Sequence, residues 1–199
     1  MALEYDLKNA NTPSKALETA TLAGGCFWCT EAIFKRLKGV VSVISGYSGG
    51  QKENPSYDEV CSGTTGHAEA IQIKFDPSII SYEKILDVFW HLHDPTTLNQ
   101  QGADVGPQYR SAIFYHSAKQ KVAKKLKEEL DKSGEFSKPI VTQIVKFTNF
   151  YKAEGYHSNY FDRNKSAPYC QIVINPKIQK LMTNYKEEVK EEYKSYSPK

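Results

Sequence analysis

The run Ala23-Gly24-Gly25-Cys26-Phe27-Trp28-Cys29-Thr30-Glu31 constrains this chain more than any other stretch. Two glycines let the backbone turn tightly and come close to a neighbour. An amphipathic segment follows at once: Ala32, Ile33, Phe34 and Leu37 leave one apolar stripe before Gly39 stops it. Cys26 therefore belongs at or just before a helix N-terminus, where free backbone N–H groups and the positive end of the dipole favour thiolate over thiol. Phe27 and Trp28 beside it can form an apolar wall, and Cys29, one helical turn on, can reach back to it. A lone cysteine in an apolar run is most often an inert core residue, but a C-x-x-C pair reads as a redox couple or half of a metal site. Zinc needs four ligands, usually two such pairs or one pair with closely spaced histidines. Cys61 and Cys170 stand alone, so no metal is expected.

Strands and helices alternate irregularly around this run, which favours an α+β domain over a doubly wound sheet. Thr19–Ala23, Val40–Ile44, Ile71–Phe75, Tyr109–Tyr115, Ile140–Phe147 and Tyr169–Ile174 read as strands of a mixed sheet core flanked by helices. Ser45 to Gly50, Asn54 to Tyr57 and Ser62 to Gly66 read as loops, a density that suits a loop-rich active site. Ser81 caps a helix striped by Ile85, Leu86, Phe89 and Trp90, and Gly134 ends a second striped by Val122, Leu126 and Leu130. Ile178, Leu181, Met182, Tyr185 and Val189 line one face of a C-terminal helix from Pro176 to Tyr193. We divide the chain into a polar N-terminal arm (1–17), a catalytic domain (18–175) and a helical C-terminal extension and tail (176–199).

With 199 residues the chain is long enough for one real core. The formal charge of +3 is spread over interleaved basic and acidic residues, so no footprint for nucleic acid stands out. No long apolar run marks a membrane span or secretory signal. Four cysteines do not make a disulfide scaffold in a chain of this length, and a reducing cytoplasm is the expected compartment. We expect a monomer.

A thiolate among aromatics suits an electrophile that fits an apolar pocket. The loops offer acids and hydroxyl donors: Glu69 after Gly66-His67-Ala68, Asp104, Tyr57 and Tyr109. Glu69 opens an apolar alternating strand, where desolvation would raise its pKa and keep it protonated. A neutral carboxylic acid and two phenols can all donate to one polar oxygen. His67 could orient or titrate. His91, His93, His116 and His157 read as structural, and the aromatic stretch 148–164 reads as closing the fold.

Several motifs together are similar to one family. Gly25-Cys26-Phe27-Trp28, Gly46-Tyr47-Ser48-Gly49-Gly50, Asn54-Pro55-Ser56-Tyr57, Val60-Cys61-Ser62-Gly63, Gly66-His67-Ala68-Glu69-Ala70, His93-Asp94-Pro95-Thr96 and Gln108-Tyr109-Arg110-Ser111 resemble, in order, the peptide methionine sulfoxide reductases of type A. The resemblance implies reduction of the S epimer of methionine sulfoxide, free or in proteins, with thioredoxin as electron donor and no metal or bound organic cofactor. It implies Cys26 as nucleophile, Phe27 and Trp28 as the pocket for the substrate methyl group, and Glu69 as the acid at the sulfoxide oxygen. Tyr57 and Tyr109 would hydrogen-bond that oxygen, Asp104 would support the polar side, and His67 would join the substrate contacts. Attack would leave a sulfenic acid, which a second thiol converts to a disulfide. Many members carry glycine where this chain has Cys29 and resolve the sulfenic acid from a glycine-rich C-terminal tail. Here Cys29, Cys170 or an external thiol must do so; Cys29 is the nearest, while Cys61 reads as structural. A thioredoxin-like dithiol exchanger using Cys26 and Cys29, or a non-catalytic binding module, would use the same motif without Glu69.

Overall fold

A computed structural model describes residues 16–195; the N-terminal arm assigned to 1–17 lies almost wholly outside the described residues. The domain is α+β, built on a six-stranded sheet in the order β7-β6-β1-β3-β2-β8. The strands are β1 (Glu18–Gly24), β2 (Val40–Ser48), β3 (Ala68–Phe75), β6 (Ser111–Tyr115), β7 (Gln143–Lys146) and β8 (Phe150–Lys152). Neighbours run antiparallel except β6 and β7, which are parallel. The sheet is therefore mixed, as expected. A two-stranded hairpin, β4 (Gln100–Gln101) with β5 (Asp104–Val105), stands beside it. Among the described residues no helix is long and apolar enough to cross a membrane.

Period-2 alternation decides which residues each face of the sheet receives. Leu22, Ile71, Ile73 and Phe75 face the main core, which they share with Phe34 and Leu37 at the end of the first helix and with α3 (Tyr82–Leu92). Ala23, Ala68, Ala70, Ala112 and Phe114 form a thinner cluster on the other face. By the same parity Glu69 points into the main-core side, where its neighbours on β3 are apolar. A carboxyl thus takes a core position.

The helix α1 (Phe27–Phe34) leaves β1 through Gly25, whose φ of +83° suits glycine. A Cβ there would also sit 2.6 Å from Gln101 Cγ. Cys26 is the residue that caps α1. The short helix α2 (Tyr57–Cys61) is set by a capping box: Ser56 Oγ accepts the Glu59 N–H, and Glu59 Oε2 accepts the Ser56 N–H. Ser81 caps α3, and Gly134 closes α4 (Val122–Ser133) in the left-handed conformation.

Three expectations are corrected. β2 continues through Ser48, so Ser45-Gly46-Tyr47-Ser48 is strand and only Gly49-Gly50 is loop. Gly46 serves close packing there, because a Cβ would lie 2.4 Å from the Tyr151 carbonyl oxygen. Cys170–Ile174 forms a π-helical turn leading into α6 (Asn175–Asn184) rather than a strand. Cys170, Ile174 and Ile178 recur every fourth residue in one buried cluster, a helical period that a short apolar run hides. The C-terminal helix is also not continuous. It ends before Tyr185, whose hydroxyl donates to Asp87 Oδ1 at 3.2 Å. Buried Val189 then pairs with Leu37, Lys38 N–H donates to the Glu188 carbonyl, and Lys190 N–H donates to the Arg36 carbonyl. This last stretch fastens the end of α1.

Candidate active site

The N-terminus of α1 is where the sequence-selected residues converge. Cys26 is 7% exposed and Cys29 is fully buried. The two thiols pack in one buried cluster, as the N-cap and third positions of one helical turn allow. Cys170 joins their cluster with Ala32, Phe161, Ile174 and Ile178. All four cysteines are free thiols.

Glu69 lies against this helix end. Its Oε2 accepts the backbone N–H of Phe27 at 3.0 Å. The first free donor of α1 is therefore used by a carboxyl and not by the Cys26 sulfur, whose side chain makes no capping hydrogen bond. Burial pushes Glu69 up to about 8, against the Phe27 hydrogen bond and with some help from Asp104. At neutral pH it carries its proton, on the oxygen that Phe27 leaves free. The helix-end argument for a preformed Cys26 thiolate is corrected accordingly. Burial holds the Cys26 thiol well above its usual range, reinforced by Cys29 and by the Glu69 charge. Cys29 is lowered to about 7, chiefly by the Cys26 thiol beside it and, against burial, by the Lys177 ammonium and the Tyr169 hydroxyl. The pair shares one proton near neutrality.

Tyr57 and Tyr109 flank the acid. Burial pushes both phenols up, followed by the Cys61 contact and Glu69 for Tyr57, and by Glu69 and Cys26 for Tyr109. Both stay protonated and able to donate. Asp104 Oδ2 accepts from the Tyr169 hydroxyl at 2.7 Å, and that same hydroxyl lies 3.9 Å from Cys29 Sγ. Tyr169 so links the hairpin carboxylate to the thiols, a role nothing in the local sequence signals.

The aromatic wall is larger than Phe27 and Trp28. Tyr160 stacks on Trp28 with ring centres 3.6 Å apart and planes at 5°, while Tyr169 meets its edge at 81°. The Trp28 indole N–H donates to His157 Nδ1 at 3.0 Å. The His157 ring lies 4.9 Å from Phe27 and 4.5 Å from Tyr57. Thus His157 and Tyr160, read from sequence as closing the fold, also pack directly against the predicted wall, His157 on Phe27 and Trp28 and Tyr160 on Trp28. The turn that carries them is held from behind: Glu31 Oε1 accepts the Asn159 N–H, and Arg36 pairs with Asp162. Glu154 fixes its start, accepting from the Tyr47 hydroxyl at 2.7 Å and the Tyr57 N–H at 2.8 Å.

His67 has a different place. Its Nδ1 accepts the Gly50 N–H at 3.0 Å and its Nε2 bonds the Lys52 carbonyl at 2.8 Å. Both ring nitrogens fasten the loop after β2, which leaves neither for the substrate contact expected of it.

The arrangement offers a thiol that can attack, a neutral acid and two phenols that can protonate or hold an oxygen, a second thiol in contact, and an aromatic slot. Comparison with known proteins agrees. The family model described as peptide methionine sulfoxide reductase matches residues 18–190. A relative from Sulfolobus acidocaldarius named peptide methionine sulfoxide reductase MsrA is 57% identical over 171 residues, covering 85% of this chain and 96% of its own. The crystal structure of reduced Mxr1 from Saccharomyces cerevisiae superposes with a TM-score of 0.71 at 38% identity, over 80% of this chain and 91% of that one. Mxr1 in complex with Trx2 is also similar, with a TM-score of 0.51 at 27% identity over 77% of this chain and 91% of that one. Site and comparisons lead to one conclusion: the chain belongs to the peptide methionine sulfoxide reductase family and is an oxidoreductase.

Proposed function

We propose that the enzyme reduces the S epimer of methionine sulfoxide, free or in proteins, through Cys26. The observation that carries this reading is the buried Glu69 carboxyl, which accepts the Phe27 N–H beside a buried thiol pair. A sulfoxide sulfur becomes open to attack when its oxygen is protonated or strongly hydrogen-bonded. Phe27 and Trp28 receive the methyl group, and Tyr57, Tyr109 and Glu69 hold the oxygen. Two substituents of the pyramidal sulfur are then fixed, which selects one epimer. Asp104 acts through Tyr169, keeping its hydroxyl beside the thiols. His67 acts on the loop after β2.

The electrons balance in three steps. Cys26 attacks the sulfoxide sulfur as its thiol proton passes to the Cys29 thiolate and the oxygen takes the Glu69 proton; the substrate S–O bond then breaks as the hydroxyl moves to Cys26 Sγ, so that methionine leaves and Cys26 becomes a sulfenic acid. Cys29 attacks that sulfur, forming a disulfide and releasing water. A thioredoxin dithiol, the donor suggested by the Trx2 complex of the yeast relative, reduces the disulfide. Cys170, in the same cluster, is the internal alternative for the second step. We place the enzyme in the cytoplasm as a monomer, with 18–175 as the catalytic part and 176–199 as its C-terminal extension.

Single-turnover assays without reductant test the reading, offering the S and R epimers of a methionine sulfoxide peptide separately. Methionine from the S epimer alone, with two thiols lost per turnover, is expected. No methionine from either epimer, in folded and reduced protein, would sink the proposal and return the C-x-x-C pair to dithiol exchange.

A further inference from the structure

The most exacting polar contact in the aromatic wall is the one between Trp28 and His157. His157 is 1% exposed and sits on the single turn Gly155–His157. Its Nδ1 accepts the Trp28 indole N–H at 3.0 Å, so that nitrogen carries a lone pair and the ring proton belongs on Nε2. Phe27, Tyr57 and Tyr156 enclose the ring, with centres 4.9, 4.5 and 4.1 Å away. Nε2 has no hydrogen-bond partner among the described residues; the nearest carboxylate oxygen, Glu154 Oε2, is 3.9 Å away. Ser45 Oγ is also buried without a partner, and Ser45, Glu154 and His157 together line a cavity of about 80 Å³.

We propose that His157 is a positioning residue, whose Nε2–H tautomer presents the Nδ1 lone pair that holds the Trp28 indole and sets the wall of the substrate slot. The inference rests on reading Trp28 as that wall. Tyr160 stacked at 3.6 Å controls the plane of the indole and Tyr169 meets its edge, but neither contact is a directional polar one. The hydrogen bond to His157 supplies that direction. A leucine or phenylalanine at 157 would offer the indole no acceptor. The tautomer matters because an Nδ1–H would oppose the indole N–H, donor against donor.

The chain has two tryptophans, and the second supplies an internal control, since the Trp90 indole N–H donates to Thr142 Oγ1. Long-range proton–nitrogen spectra of the wild-type protein should place the His157 proton on Nε2. His157→Phe should move the Trp28 indole resonance while leaving that of Trp90 in place. It should raise KM for the S sulfoxide roughly five- to tenfold, the equivalent of one lost buried hydrogen bond, and alter the saturated single-turnover rate by less than about twofold. His157→Asn, which puts a carbonyl oxygen near the Nδ1 position, should restore the resonance and most of the KM. A proton found on Nδ1, or a His157→Phe protein with Trp28 resonance and KM unchanged, would overturn the inference. If the variants lose the Trp90 resonance and so do not fold, the wild-type tautomer decides. A protein that reduces neither epimer overturns the proposed function and leaves the tautomer and indole readings to judge this contact separately.

Discussion

The acid flank and the thiol flank of the site are built from different material. On the acid flank, Glu69 stands opposite Tyr47 in the β2–β3 ladder, with sheet hydrogen bonds on both sides of its strand. On the thiol flank, Cys26 and Cys29 pack against Cys170, Ile174 and Ile178, which come from the π-helical turn and α6. A sheet position holds a carboxyl dry and in one place, which keeps it protonated. A π-helical turn is an irregularity that often marks a functional site, and here it lies beside the thiols that would form and break a disulfide. On the proposed mechanism the flanks divide the cycle: oxygen activation on the sheet side, recycling on the helix side.

Breaking each flank separately tests that division. Cys26→Ser belongs to both and should abolish methionine formation altogether, measured as product in a single turnover. Glu69→Gln keeps the acceptor for the Phe27 N–H but has no acidic proton. It should slow the first step by about 10²–10⁴-fold while leaving reduction of a preformed disulfide by thioredoxin unchanged. In the wild type the first step should slow as pH rises past about 8, where Glu69 ionises, and the Glu69→Gln rate should lack that limb. A Glu69→Gln protein with an undiminished single-turnover rate would remove the acid from the mechanism and the distinction between the flanks with it.

A smaller effect is expected on the helix side. Cys29→Ser should still yield one methionine per enzyme but cycle more slowly with thioredoxin, because the sulfenic acid loses its contacting thiol. Peptide mapping of the oxidised wild type should find Cys26 joined to Cys29. A Cys26–Cys170 bond, with normal cycling of Cys29→Ser, would move the resolving role onto the π-helical turn and sharpen the contrast between the flanks.

The two flanks also differ in how far they could be read from the sequence. Glu69 was legible because Ile71, Ile73 and Phe75 alternate behind it, so position 69 falls on the buried face. A carboxyl at such a position asks for a reason. Cys26 and its helix were legible from the double glycine and the stripe that follows. What that helix packs against was not. Trp28 meets His157 across 129 residues and Cys29 meets Tyr169 across 140, and no local pattern encodes a contact at that separation. Tyr169–Ile174 is too short for its period to distinguish strand from helix, and the break at Tyr185 depends on a partner on α3. The resemblance to a family supplied the list of residues; burial and hydrogen bonding supplied the ionisation, and at Cys26 they reversed the local argument.

A last test concerns stability, and it isolates the acid flank without any substrate. Glu69 has an ordinary value of 4.5 and is raised to about 8 in the fold, so the folded state binds its proton more tightly than the unfolded chain. Its contribution is complete below the unfolded value. It is lost as pH rises from 4.5 through about 8, where the unfolded carboxyl has ionised and the buried one must follow or stay protonated at a cost. Glutamine cannot titrate. The difference in unfolding free energy between wild type and Glu69→Gln should therefore shift in favour of the variant across that window, by on the order of a few kcal/mol. Groups common to both proteins cancel in this difference. Denaturant midpoints at several pH values measure it. A constant difference would mean that Glu69 is already ionised in the folded enzyme, and then the sheet side holds no proton to give.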